Sequence, residues 1–138
     1  PITNKQPVED FWQGAGLVLV VDDEEAIRET ASLMLEQLGF ETLAVSNGVD
    51  GLAAYRDYQD KIVVVLLDIT MPTMDGETCF AGLRQINPEV KVVLSSGYSE
   101  QEAVGSSAEP SLVGFLQKPY HLETLKNMMQ QVFSTESV

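Results

Sequence analysis

Val18–Glu25 reads VLVVDDEE, an apolar run that stops at two adjacent aspartates and passes into two glutamates. The run Leu17–Val21 ends as a strand would, and carboxylates are favoured beside the N-terminus of a following helix. That accounts for Glu24 and Glu25, and only in part for Asp22 and Asp23. Four further apolar runs follow, Glu41–Val45, Lys61–Leu67, Val90–Leu94 and Leu112–Leu116. Most lack polar–apolar alternation, which marks strands buried on both faces. Between them lie stretches of helical length and period. In Ala26–Leu38, the side chains of Ile27, Ala31, Met34, Leu35 and Leu38 share one face, and Gly39 is placed to end the helix. The others cover 49–58, 76–86, 99–107 and 121–133. The stretch 99–107 is the weakest, because Gly105, Ser106 and Ser107 are poor helix formers and Pro110 follows, so it is expected to be short or mobile. Strands and helices alternating at these lengths predict an α/β fold: a doubly wound, five-stranded parallel sheet with right-handed crossovers.

The chain has 138 residues, 44% of them apolar, the size of one domain with a sizeable core. Its formal charge of −13 argues against the Lys/Arg surface that phosphate neutralisation on nucleic acid requires, and favours a bound cation or a basic partner. The single cysteine, Cys79, rules out an internal disulfide framework and reads as a small core hydrophobe. The apolar runs are too short to span a bilayer and no signal segment opens the chain, so a soluble, cytoplasmic domain without membrane contact is expected. The chain begins at Pro1, which reads as a piece of a longer or processed protein. Residues 1–16, PITNKQPVEDFWQGAG, mix proline, glycine and charge without period and read as a linker or arm, with Phe11 and Trp12 available to dock. Residues 17–133 form the domain, and 134–138, STESV, a polar tail. With only that tail after residue 133, transcriptional control by this chain alone is not expected.

In parallel sheets of this kind, ligands bind beyond the carboxyl ends of the strands, where the strand order reverses. Taken in turn, the residues after each run are Asp22 and Asp23, then Asp68, then Ser95 and Ser96, then Lys118. Three carboxylates converging on one sheet edge repel unless a cation sits among them. Magnesium suits such a site, being a hard ion that takes carboxylate and carbonyl oxygens and leaves positions open for phosphate. A hydroxyl and an ammonium beside it would supply donors to phosphoryl oxygens.

These residues carry a resemblance. VLVVDDEE, VVVLLDITMPTMDG (Val63–Gly76), VVLSSGY (Val92–Tyr98) and FLQKPY (Phe115–Tyr120) resemble, in order and over roughly residues 17–133, the receiver domain of two-component response regulators. FWQGAGLVLVVDDEE resembles the junction at which a receiver closes a hybrid sensor histidine kinase. The resemblance implies a flavodoxin-like (βα)5 fold with strand order 2-1-3-4-5. It also implies Asp68 as phosphoacceptor, with Asp22, Asp23, Asp68 and the backbone carbonyl of Thr70 as ligands to Mg2+, Mn2+ being a substitute. Ser96 corresponds to the switch hydroxyl, Lys118 to the phosphate-contacting lysine and Phe115 to the aromatic that repacks. Ser96 is chosen over Ser95 because Gly97 matches the small residue after the switch hydroxyl, which leaves Ser95 toward the core. Thr70 and Tyr98 stand where the family tunes loss of the phosphoryl group. Thr70 replaces a frequent asparagine and Tyr98 is bulky, so slow self-dephosphorylation is expected. The Lys118–Pro119 bond is expected to be cis, as in the family, and the readout face to lie near residues 99–126. The implied partner is a histidine kinase or a histidine phosphotransfer protein, met by a monomer or weak dimer that catalyses nothing beyond its own phosphorylation and its decay.

Two other classes compete. A docking module with the same fold and a silent site would take no label from a phosphodonor, whereas the set of acids, hydroxyl and lysine is intact. An aspartate-based phosphatase needs an acid two residues after its nucleophile, where this chain has Thr70. His121, the only histidine, reads as an exposed polar residue at a helix start.

Overall fold

The computed structural model describes residues 13–69, 76–97 and 112–134. Five strands, β1 (Leu17–Val21), β2 (Glu41–Val45), β3 (Ile62–Asp68), β4 (Val92–Ser96) and β5 (Leu112–Gln117), form one parallel sheet in the order β2-β1-β3-β4-β5. Among the described residues four helices accompany it: α1 (Glu25–Gln37), α2 (Gly48–Tyr58), α3 (Gly76–Ile86) and α4 (Leu122–Ser134). The expected helix over 99–107, together with Thr70, Tyr98, Phe11 and Trp12, lies outside the described residues.

The central strands lack alternation because each face of the sheet has its own core. Val18, Val20, Val64, Leu66 and Val93 pack with Ala31 and Leu35 of α1 and with Leu125 and Met129 of α4. Leu19, Val21, Val65, Leu67 and Leu94 pack with Tyr55 of α2 and with Cys79, Phe80 and Leu83 of α3. Successive side chains thus enter opposite cores, and both must be apolar. The edge strand β2 is only half-buried, and its Glu41 and Ala44 are exposed.

Local signals set the boundaries. Gly39 adopts φ +102 and closes α1: its N–H reaches the carbonyl of Glu36 at 3.0 Å, and the Phe40 N–H reaches that of Leu35 at 3.0 Å. This paired arrangement satisfies the last carbonyls of a helix and needs the left-handed residue that glycine supplies. A Cβ at Gly39 would also stand 2.8 Å from the Gly14 carbonyl oxygen, because residues 13–16 run along this corner. There the Gly14 N–H donates to Leu38 O at 2.7 Å, and Gly16 O accepts from the Glu41 N–H at 2.9 Å. Asn47 caps α2, its Oδ1 accepting from the Asp50 N–H at 2.8 Å.

The fourth strand departs from the sequence expectation. Val90 is buried, but it sits in the turn after α3, its N–H bonded to Asn87 O at 3.0 Å, and the strand proper starts at Val92. An apolar residue marks burial, which a turn packed under the sheet satisfies as well as a ladder does. Ser95 and Ser96, expected beyond the strand, are therefore its last two residues, and Asp68 is likewise the last residue of β3, opposite Ser95.

Candidate functional site

The chain leaves β1 toward β2 on one side and returns through β3 on the other, so the carboxyl ends of β1 and β3 flank the point where the sheet reverses. The Asp22 N–H continues the ladder to Val45 O at 3.1 Å, which fixes the backbone just where the strand ends. Its side chain is buried, with Oδ1 accepting from the Glu24 N–H at 2.9 Å. Asp68 is buried at the end of β3, and Asp23 is exposed. Carboxylate oxygens of Asp22, Asp23 and Asp68 all lie within 4.8 Å of one another.

Lys118 follows β5, its backbone N–H held by Ser96 O at 2.7 Å, and the Lys118–Pro119 peptide is cis, as the resemblance implied. Its Nζ lies 2.8 Å from Asp22 Oδ2, 3.3 Å from Asp68 Oδ2 and 3.3 Å from Glu24 Oε1. Burial opposes the charge on this ammonium. The hydrogen bond to Asp22 and the charges of Asp68 and Asp22 outweigh it, so the lysine is held well above its ordinary value and stays protonated.

One lysine does not neutralise three acids. The Asp22 carboxyl is raised above its ordinary 3.8, chiefly because it is buried; the charge of Asp68 adds to that, while Lys118 and the Glu24 N–H work against it. Asp23 is also raised, by desolvation first and then by its hydrogen bond to Asp68 and that group's charge. The Tyr120 hydroxyl is pushed up to about 12, mostly by burial and then by the Asp22 charge. Among the described residues, negative charge is therefore in excess at this edge. A hard divalent cation fits the donor set, because it would supply the missing positive charge to oxygens already gathered within its reach.

Ser96 and Ser95 are both buried, but on opposite sides of the sheet. Ser96 follows Leu94 on the face where Phe115, the register neighbour of Leu94, is half-buried against the same core. Ser95 shares the face of Val93. Asp22, Asp23, Asp68 and Lys118 are thus brought together and Ser96 and Phe115 share one face, while Thr70 and Tyr98 are outside the described residues. His121 is exposed just before α4, and Cys79 is buried, its thiol pushed up to about 11 by burial.

Sequence reasoning missed two participants. Glu24 had been read only as an acidic helix start, yet it reaches Lys118. Arg28 donates from Nη1 to the Asp22 carbonyl oxygen at 2.9 Å, bracing the backbone of a site acid. A cation in the first turn of a helix stands against the helix dipole, and that misfit was the available signal.

A family model described as the response regulator receiver domain matches residues 18–130. The chain is 29% identical over 123 residues to the sensor kinase CckA of Brucella abortus, covering 89% of this chain and 13% of that protein. Among solved structures, the receiver domain from the hybrid histidine kinase CckA is 30% identical with a TM-score of 0.69, covering 85% of this chain and 99% of that one. The CheX–CheY–BeF3–Mg2+ complex from Borrelia burgdorferi is 25% identical with a TM-score of 0.74, covering 86% of this chain and 89% of that one.

Proposed function

The chain belongs to the response regulator receiver family of two-component signalling, and we propose that within it Asp68 accepts a phosphoryl group from phosphohistidine and thereby switches a partner-binding surface. The observation that carries this reading is the buried Asp68 carboxylate, gathered with Asp22 and Asp23 within 4.8 Å and faced by Lys118 at 3.3 Å. A carboxylate oxygen of Asp68 attacks phosphorus; the O–P bond forms as the N–P bond breaks, and the electron pair returns to the imidazole nitrogen. Asp22, Asp23 and Asp68, with the Thr70 carbonyl, would hold Mg2+ or Mn2+, which neutralises charge on the phosphoryl oxygens when bound. The Borrelia relative, solved with Mg2+ and BeF3, supports that choice of ion.

Lys118 supplies donors to the phosphoryl oxygens, and the Ser96 hydroxyl turns toward them. Phe115, on the same sheet face as Ser96, repacks into the vacated space and carries the change to the surface near residues 99–126. Thr70 and Tyr98 screen the aspartyl phosphate from water and lengthen its life. Likeness to CckA, a hybrid histidine kinase by name, supports placing this chain as the receiver of such a kinase. The donor is then that kinase or a histidine phosphotransfer protein, in the cytoplasm, with the receiver monomeric or weakly dimeric and away from membrane and nucleic acid.

Incubation with a small acyl phosphate and magnesium, followed by intact-mass measurement, tests the proposal. One phosphoryl group should be gained by the native chain and none by Asp68→Asn, which is nearly isosteric but lacks the anionic nucleophile. Labelling of the variant would overturn the assignment.

A further inference from the structure

Lys118 is saturated before any phosphoryl group arrives. An ammonium has three N–H donors, and Asp22, Asp68 and Glu24 present carboxylate oxygens to Nζ at 2.8, 3.3 and 3.3 Å. For Lys118 to reach a phosphoryl oxygen on Asp68, one of these partners has to let go. The two aspartates are poor candidates: their side chains are 3% and 1% exposed, and either one left buried without its cation would be costly. Glu24 differs, because its side chain is 62% exposed and water replaces the lost contact.

We infer that Glu24 is a positioning residue that holds the third donor of Lys118 in the resting domain and releases it to the incoming phosphoryl group. The inference rests on the phosphoacceptor reading of Asp68. Glu24 touches neither substrate nor the reacting atoms and acts only through Lys118. It is suited to this by its place between Asp22 and α1, where its own N–H is tied to Asp22 Oδ1 at 2.9 Å and its side chain makes no hydrogen bond capping the helix. The carboxylate therefore has one described role at this corner, toward the lysine. An exposed pair of this kind is weak, and weakness is what a contact broken in every turnover requires.

Removing the latch should speed phosphorylation by a small acyl phosphate in magnesium by about two- to fivefold, the range that an exposed ion pair represents. Glu24→Gln tests the contact, and Glu24→Asp separates it from simple charge. The aspartate keeps the negative charge but is one methylene too short for Lys118, so a latch predicts that both variants are fast, whereas a net-charge effect leaves Glu24→Asp at the native rate. Aspartate is also a better helix cap than glutamate, so a purely structural role would appear as a raised melting temperature in Glu24→Asp without a faster rate. In a Lys118→Met background, labelled slowly over long incubations, Glu24→Gln should add no acceleration. Native protein that labels on Asp68 while Glu24→Gln labels at the same rate overturns this inference and leaves the phosphoacceptor reading standing. Native protein that takes no label overturns both.

Discussion

Replacing Lys118 by methionine removes the ammonium that faces Asp22 and Asp68 and keeps most of the length of the side chain. Both carboxylates are at most 3% exposed, so water cannot take over the role of the lysine. Removing one partner of a buried pair costs about 3–5 kcal/mol. Part of that is recovered here, because Asp22 is already shifted toward the neutral form by burial and can take up a proton. A net loss of roughly 3 kcal/mol at neutral pH is expected, which for a domain of this size lowers the melting temperature by about 10 °C. The pH dependence has a definite sign. A carboxyl raised above its unfolded value binds more protons in the folded state, so stability is present at low pH and lost as pH rises through the folded value. For Asp22 and Asp23 that window opens at 3.8 and extends upward. The deficit of Lys118→Met should therefore shrink on acidification toward that value. It should shrink again in Lys118→Met/Asp22→Asn, which removes the uncompensated charge. Urea and thermal unfolding in chelator at several pH values measure all three. A variant as stable as the native chain at neutral pH, or a deficit that grows on acidification, would refute the claim that Lys118 offsets an excess of buried negative charge.

Magnesium should raise the melting temperature of the native chain, since a ligand that binds only the folded state stabilises it by mass action, and Asp23→Ala should abolish the shift; calorimetry with and without the ion gives the comparison. Ser96→Ala should leave phosphorylation possible but uncouple it from repacking of Phe115, read as loss of the phosphorylation-dependent change in the ring's NMR signals. Ser95→Ala should preserve that change, because Ser95 is on the other face of the sheet from Phe115.

Much of the fold was legible because its two cores write themselves directly into the strands. Leu17–Val21 and Ile62–Leu67 are apolar throughout since every position meets helices on one side or the other. Gly39 announced the end of α1 for a reason the backbone bears out. The start of β4 was misread because Val90 is buried without being paired, and hydropathy reports only burial. At the site, strand ends pointed to Asp22, Asp23, Asp68 and Lys118, each a charge within two residues of the end of an apolar run. Glu24 and Arg28 were missed for the converse reason. An acid at a helix start needs no special explanation, the misfit of Arg28 names no partner, and the two roles depend on a lysine 94 residues away in sequence and on one backbone carbonyl.

That distinction bears on how the site holds its tension. The fold places two acids at the ends of neighbouring central strands, β1 and β3, where the apolar ladder fixes their backbones and leaves them no freedom to separate. Burial raises the Asp22 carboxyl first, the charge of Asp68 adds to it, and Lys118 works against both. In the proposed reading, the excess of acid over base among the described residues of this edge keeps it receptive to a divalent ion. Lys118 then keeps its contacts with Asp22 and Asp68 in that reading and gives the donor that Glu24 held to a phosphoryl oxygen. The rigidity of the sheet and the looseness of the lysine's third contact are thus complementary, since the first gathers the acids and the second frees a donor for the phosphoryl group.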